Sequence, residues 1–127
     1  MGTITRFEEI DAWKNARKLT RLVYEYSSRS DFSRDFALQN QIRRYTVSIM
    51  SNIAEGFESH TQPLFIKYLG HSKASTGETR SQLYIAFDLG YITEEEFNLT
   101  YELTNIINSQ IYKFIQYLKT LPVKERM

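Results

Sequence analysis

The sequence predicts an all-α protein, an antiparallel up-down-up-down four-helix bundle, on three observations. Only 2 prolines and 5 glycines among 127 residues leave long stretches without helix breakers. Apolar residues in those stretches recur at three- and four-residue spacing, the period of one helix face. The connections between stretches are a few residues long, which makes successive helices antiparallel neighbours. Helices are expected at about 9–28, 35–56, 62–89 and 93–119, in one domain over residues 1–127.

The first helix carries Ile10, Trp13, Ala16, Leu19, Leu22, Val23 and Tyr26 on one face. Glu8, Glu9 and Asp11 gather at its start, where negative charge complements the helix dipole. A Ser/Asp-rich connection, Ser27 to Asp35, follows. The second helix places Leu38, Ile42, Tyr45, Ile49 and Ile53 on one stripe, widened by Val47, Met50 and Ala54. It is therefore expected to be the most buried helix, with Gly56 as its C-cap. The third helix is expected to use Thr61 as N-cap, to tolerate Pro63 in its first turn and to stop at Gly90. Thr93-Glu94-Glu95-Glu96 opens the fourth as a capping box, after which Phe97, Leu103, Ile107, Ile111, Phe114, Ile115 and Leu118 repeat helically up to Pro122. Val123 to Met127 reads as a tail beyond the last helix.

Composition narrows the function classes. The chain has no cysteine, which excludes disulfides and thiolate metal sites and is compatible with a reducing cytosol. No apolar run approaches the roughly 20 residues of a membrane span, and the first residues lack the apolar core of a signal peptide, so a cytoplasmic protein is expected. Formal charge is only +1.

Three segments carry a family pattern: Phe7 to Arg17 (FEEIDAWKNAR), Gln41 to Arg44 followed by Val47 to Gly56 (VSIMSNIAEG), and Gly77 to Ala86 followed by Asp88 to Ile92. Together they resemble the bacterial 23S rRNA intervening-sequence proteins, which are related to the accessory variability determinants of diversity-generating retroelements. The resemblance runs from about Phe7 to Lys119. It implies a four-helix bundle that often assembles as a ring of five, a homo-oligomer; the retroelement relatives bind nucleic acid and a reverse transcriptase. Met50 stands where the family frequently has proline, and Pro63-Leu64 replaces a charged pair common in the family.

Two groups of side chains are the candidate sites. Lys14, Arg17, Lys18 and Arg21 share one face of the first helix, and from Asp11 to Arg29 five basic residues meet two acidic ones. Such a face grips phosphates, which makes nucleic acid the candidate partner, although a charge run is also what a solvated helix face looks like. The second group is polar: Gln41, Arg44, Ser48, Asn52 and Glu55 line one stripe of the second helix, with Arg43 set among apolar neighbours and expected to pair with Glu78 or Glu55. Ser72, Ser75, Thr76, Thr79 and Gln82 enter the apolar face of the third helix, where their small size predicts close helix approach.

No nucleophile and base arrangement accompanies these serines, and no Glu-x-x-His pair of the di-iron kind occurs. His60 and His71 stand apart. The sequence thus predicts no catalytic residue, no metal and no cofactor, and a self-assembling scaffold or partner-binding protein associated with nucleic acid or a nucleoprotein. The alternative is a small-ligand or cryptic enzymatic site around Arg43, Asn52, Glu78 and Gln82.

Overall fold

The computed structural model describes residues 4–122; the expected tail, Val123 to Met127, lies outside them. Four long helices make up most of this span: α1 (Asp11–Ser27), α2 (Phe36–Glu58), α3 (Gln62–Asp88) and α4 (Glu94–Lys119). No strand occurs among the described residues.

Side-chain contacts fix the topology. Arg43 of α2 reaches Ser27, at the end of α1, whereas Met50 meets Thr20, about two turns earlier. The same reversal runs from α2 to α3 through Ser48–Ser75 and Ile49–Ser72, and from α3 to α4 through Arg80–Asn105 and Tyr84–Tyr101. Asn15–Gln110 and Arg29–Glu96 close the circuit from α4 back to α1. Each helix is antiparallel to its two neighbours, as short connections dictate.

The predicted apolar stripes form one core. Ala16, Leu19, Ile42, Ile49, Ile53, Leu69, Ile107 and Ile111 are wholly buried, and each such Leu or Ile side chain contributes about 1.5–3 kcal/mol over an exposed one. Helix α3, however, is more deeply buried than α2, with ten buried residues against six. The reason is chemical. The hydroxyls of Thr76 and Thr79 donate to the carbonyls one turn back, Ser72 and Ser75, at 2.8 and 3.0 Å, so these small polar side chains enter the core already satisfied.

Helix ends account for the other departures. A 3-10 turn, Phe7–Glu9, precedes α1, so the α-helix begins at Asp11. A second such turn, Ser30–Arg34, occupies the α1–α2 connection, and Asp35 caps α2 by accepting from the Leu38 amide at 3.1 Å. Gly56 is not a C-cap. It lies buried inside α2, which continues to Glu58, and a Cβ there would sit 3.0 Å from Phe65 Cδ1 and from Tyr68 Cβ. Its role is to let α3 approach. Thr61 occupies the N-cap position of α3 without a capping hydrogen bond, because Pro63 removes one of the two amides such a cap serves. Gly90 does end α3: at φ +76° it places its own amide on Phe87 and that of Tyr91 on Ala86, the paired closure of a Schellman motif. The capping box of α4 forms as expected, Thr93 with Glu96.

Candidate interaction surfaces

Lys14, Arg17, Lys18 and Arg21 are all exposed, on the face of α1 opposite buried Ala12, Ala16, Leu19 and Val23. Amphipathic spacing put them there. Lys14 stands 4.0 Å from Asp11, and the Arg17 guanidinium lies 5.9 Å from the centre of the Trp13 ring. None of the three ion pairs among the described residues engages Arg17, Lys18 or Arg21. A shallow recess of about 260 Å³ opens beside Lys18, Arg21, Leu22 and Glu25. The ridge offers four cations within two turns, an arrangement that suits phosphate or carboxylate partners.

The polar residues between α2 and α3 form a hydrogen-bonded layer. Ser48 and Ser75 join their hydroxyls at 2.9 Å, Asn52 donates to the Ser48 carbonyl at 2.8 Å and to its hydroxyl at 2.9 Å, and Ser72 donates to the Ile49 carbonyl at 2.8 Å. Every one of these hydroxyls is engaged, and none of these contacts is made to a carboxylate or imidazole that could serve as a base.

Arg43, Asn52, Glu78 and Gln82 are not brought together. Arg43 turns toward α1 and away from Glu78 and Glu55. It donates from Nε to the buried Ser27 hydroxyl at 2.8 Å and from a terminal nitrogen to the Ser28 hydroxyl at 2.9 Å, with its guanidinium 4.5 Å from the centre of the Tyr24 ring. The end of α1 is rich in unpaired carbonyls, and a planar cation with several donors fits that end better than it fits one exposed carboxylate. Asn52 lies nine residues further along α2, about 14 Å away along the axis. Glu78 is exposed, as are Gln41, Arg44 and Glu55. Gln82 is buried, and its Oε1 has no hydrogen-bond partner. Gln62 shares that feature at its Oε1 while its amide nitrogen donates to the Leu118 carbonyl at 2.9 Å.

His60 and His71 are exposed, the latter 6.0 Å from the Tyr68 ring. No group of three or more His, Cys, Asp or Glu residues among those described is placed to hold a metal ion.

Several pairings were not read from the sequence. Arg29 and Glu96 meet at 2.9 Å where α1 ends and α4 begins, and Glu96 Oε1 also accepts from the Thr93 amide at 3.0 Å. The hydrogen bond from Arg29 holds the Glu96 carboxyl below its ordinary value, and Arg29 is raised in turn. At the same end the Tyr91 hydroxyl donates to Asp35 at 2.9 Å, which pushes the tyrosine up, and its ring stacks on Phe32 at 5.1 Å. The two connections enclose a recess of about 430 Å³ there. A second cleft, about 330 Å³, separates Ile4 and Ile10 from Phe114 and Tyr117 at the opposite end. On α4, Leu99 and Ile106 are exposed, seven residues apart and off the main apolar stripe. Their heptad spacing is the signal that reveals them in the sequence.

The model of the 23S rRNA-intervening sequence protein family matches residues 8–113. The crystal structure of a protein of unknown function from the S23 ribosomal protein family of Bacteroides thetaiotaomicron VPI-5482 is similar at a TM-score of 0.75 and 24% identity, covering 83% of this chain and 95% of that one. That likeness shows a shared fold. Among curated proteins, none matches.

Proposed function

The chain belongs to the 23S rRNA-intervening sequence protein family, and from that premise we propose that it works without catalysis, as a self-associating helical scaffold that holds a macromolecular partner in the cytoplasm. The observation that carries this reading is the grouping of exposed apolar side chains on helix faces. Ile85 and Leu89 stand one turn apart at the end of α3, Leu99 and Ile106 two turns apart on α4, and Phe36 is 70% exposed at the start of α2. Single exposed apolar residues need no explanation; aliphatic pairs repeated on one face are what an interface leaves behind in the isolated subunit. The engaged hydroxyls between α2 and α3 and the turn of Arg43 toward α1 favour a structural role for the polar layer over a ligand site. No helix of the described residues is long and apolar enough to cross a membrane.

Nucleic acid is the second reading, supported by the four exposed cations of α1. The family resemblance favours five copies. Light scattering at micromolar concentration tests self-association directly, and a mass of 15.0 kDa, that of one chain, sinks it.

A further inference from the structure

We propose that the face shared by α1 and α2 takes single-stranded nucleic acid: the cations of α1 hold successive phosphates, and the Tyr24 ring is the platform on which a base stacks. The inference rests on the nucleic-acid reading above and names the form of the polymer. The residues that carry it meet along one seam. On α1, Trp13, Arg17, Arg21 and Tyr24 follow one another at steps of four, four and three, so they run along one edge. That edge faces α2, because Thr20 among them meets Met50 and Tyr24 meets Arg43. Arg43, Val47 and Met50 form the matching edge of α2.

Tyr24 has no place in the core. It stands off the stripe that buries Ala16, Leu19 and Val23, and 41% of it is exposed. The Arg43 guanidinium, 4.5 Å from the ring centre, covers one face of the ring. A base laid on the other face completes a stack of cation, ring and base, in which the cation and the base both favour the electron-rich ring. Arg43 has a further donor to offer. Its Nε and one terminal nitrogen are engaged with Ser27 and Ser28, whereas the other terminal nitrogen makes no hydrogen bond among the described residues. Val47, one turn beyond Arg43 and also exposed, adds apolar surface to the seam.

The cations suit a flexible strand. Arg17 and Arg21 stand about 6 Å apart along the helix axis, near the repeat of an extended strand, and Tyr24 lies about 4.5 Å further on. Lys14 and Lys18 widen the cationic flank. Arg17, Lys18, Arg21 and Arg43 enter none of the ion pairs among the described residues, so an arriving phosphate displaces no carboxylate from them. Glu25 keeps to the other flank, in the recess it shares with Lys18 and Leu22, and Leu22 lies seven residues after Asn15 on the edge that meets α4. A duplex hides its base faces in its own stack and engages the cations alone. A single strand engages the cations and the ring together. The aliphatic pairs invoked for self-association lie on α3 and α4, apart from this seam.

The test titrates the full chain against a labelled short oligouridylate and a labelled short RNA duplex by anisotropy at several salt concentrations, with the helical spectrum as the check on folding. Wild type should prefer the single strand. With about three phosphates neutralised, log affinity for it should fall with log salt at a slope near −2, against about −3 for the duplex. Tyr24→Phe keeps the ring and should bind both polymers like wild type. Tyr24→Leu keeps apolar bulk without the plane; it should weaken single-strand binding about tenfold and leave duplex affinity unchanged. Arg17→Glu/Arg21→Glu should abolish binding to both. If Tyr24→Leu loses its helical spectrum, Arg43→Met, which removes the cation from the ring, replaces it and should weaken the single strand more than the duplex. A duplex bound as tightly as the single strand overturns the stacking platform and leaves the ridge as a phosphate site. So does a Tyr24→Leu variant that binds the single strand like wild type, or one that loses strand and duplex alike. Absence of binding to either polymer at low salt removes the nucleic-acid reading and this inference with it.

Discussion

At the scale of single residues, two glycines in similar sequence settings behave oppositely, and the difference is spatial. Gly56 faces α3 with Tyr68 Cβ at 3.0 Å and the Phe65 carbonyl at 3.3 Å of an added Cβ, so backbone itself would have to move. Gly56→Ala should destabilise the fold by roughly 1–2 kcal/mol, the overpacking cost less the gain in helix propensity. An added Cβ at Gly77 meets nothing within 4 Å, and Gly77→Ala should stabilise the chain by about 1 kcal/mol. Urea denaturation of the pair checks both signs at once. Arg43 poses a related question of placement. Replacement by Met keeps the stem on the apolar surface and removes the donors to Ser27 and Ser28, leaving the buried Ser27 hydroxyl without its charged partner. A loss of about 1.5 kcal/mol is expected, the low end for a hydrogen bond to a charged group because Arg43 is partly solvated. If the Met variant proves as stable as wild type, the contact with α1 carries no weight.

Single elements show where the sequence was legible. The stripe of α1 and the capping box of α4 are local patterns whose physics is complete within one helix, and both appear in the structure as read. The partners of Arg43, the burial order of α2 and α3 and the role of Gly56 depend on which helix lies opposite, which no spacing within one segment encodes. The start of α4 joins both kinds, since Glu96 caps its own helix and also binds Arg29 of α1. Thr93→Ala should cost about 1 kcal/mol. Glu96 gives a pH signature as well. Its carboxyl is lower in the folded chain than the ordinary 4.5, so its contribution is present at neutral pH and is lost as pH falls below about 4.5 through the lower folded value. Acid titration of thermal stability should therefore be flatter in Glu96→Gln than in wild type below that point. Equal acid slopes would mean that the carboxylate makes no net contribution there.

For the whole molecule, a formal charge of +1 conceals a separation: cations concentrate on α1, while Glu94, Glu95, Glu96 and Glu102 lie on α4. The α1 ridge is where the nucleic-acid reading proposed above places a polyanion. If nucleic acid binds, about three phosphates are neutralised per ridge, so log affinity should fall with log salt at a slope near −3 for each engaged ridge on duplex. Arg17→Glu/Arg21→Glu should abolish retention while the helical spectrum persists, because both side chains are exposed and bear on no buried contact. Binding that survives both this double substitution and high salt places the phosphates off the ridge, on the exposed Arg44 side of α2.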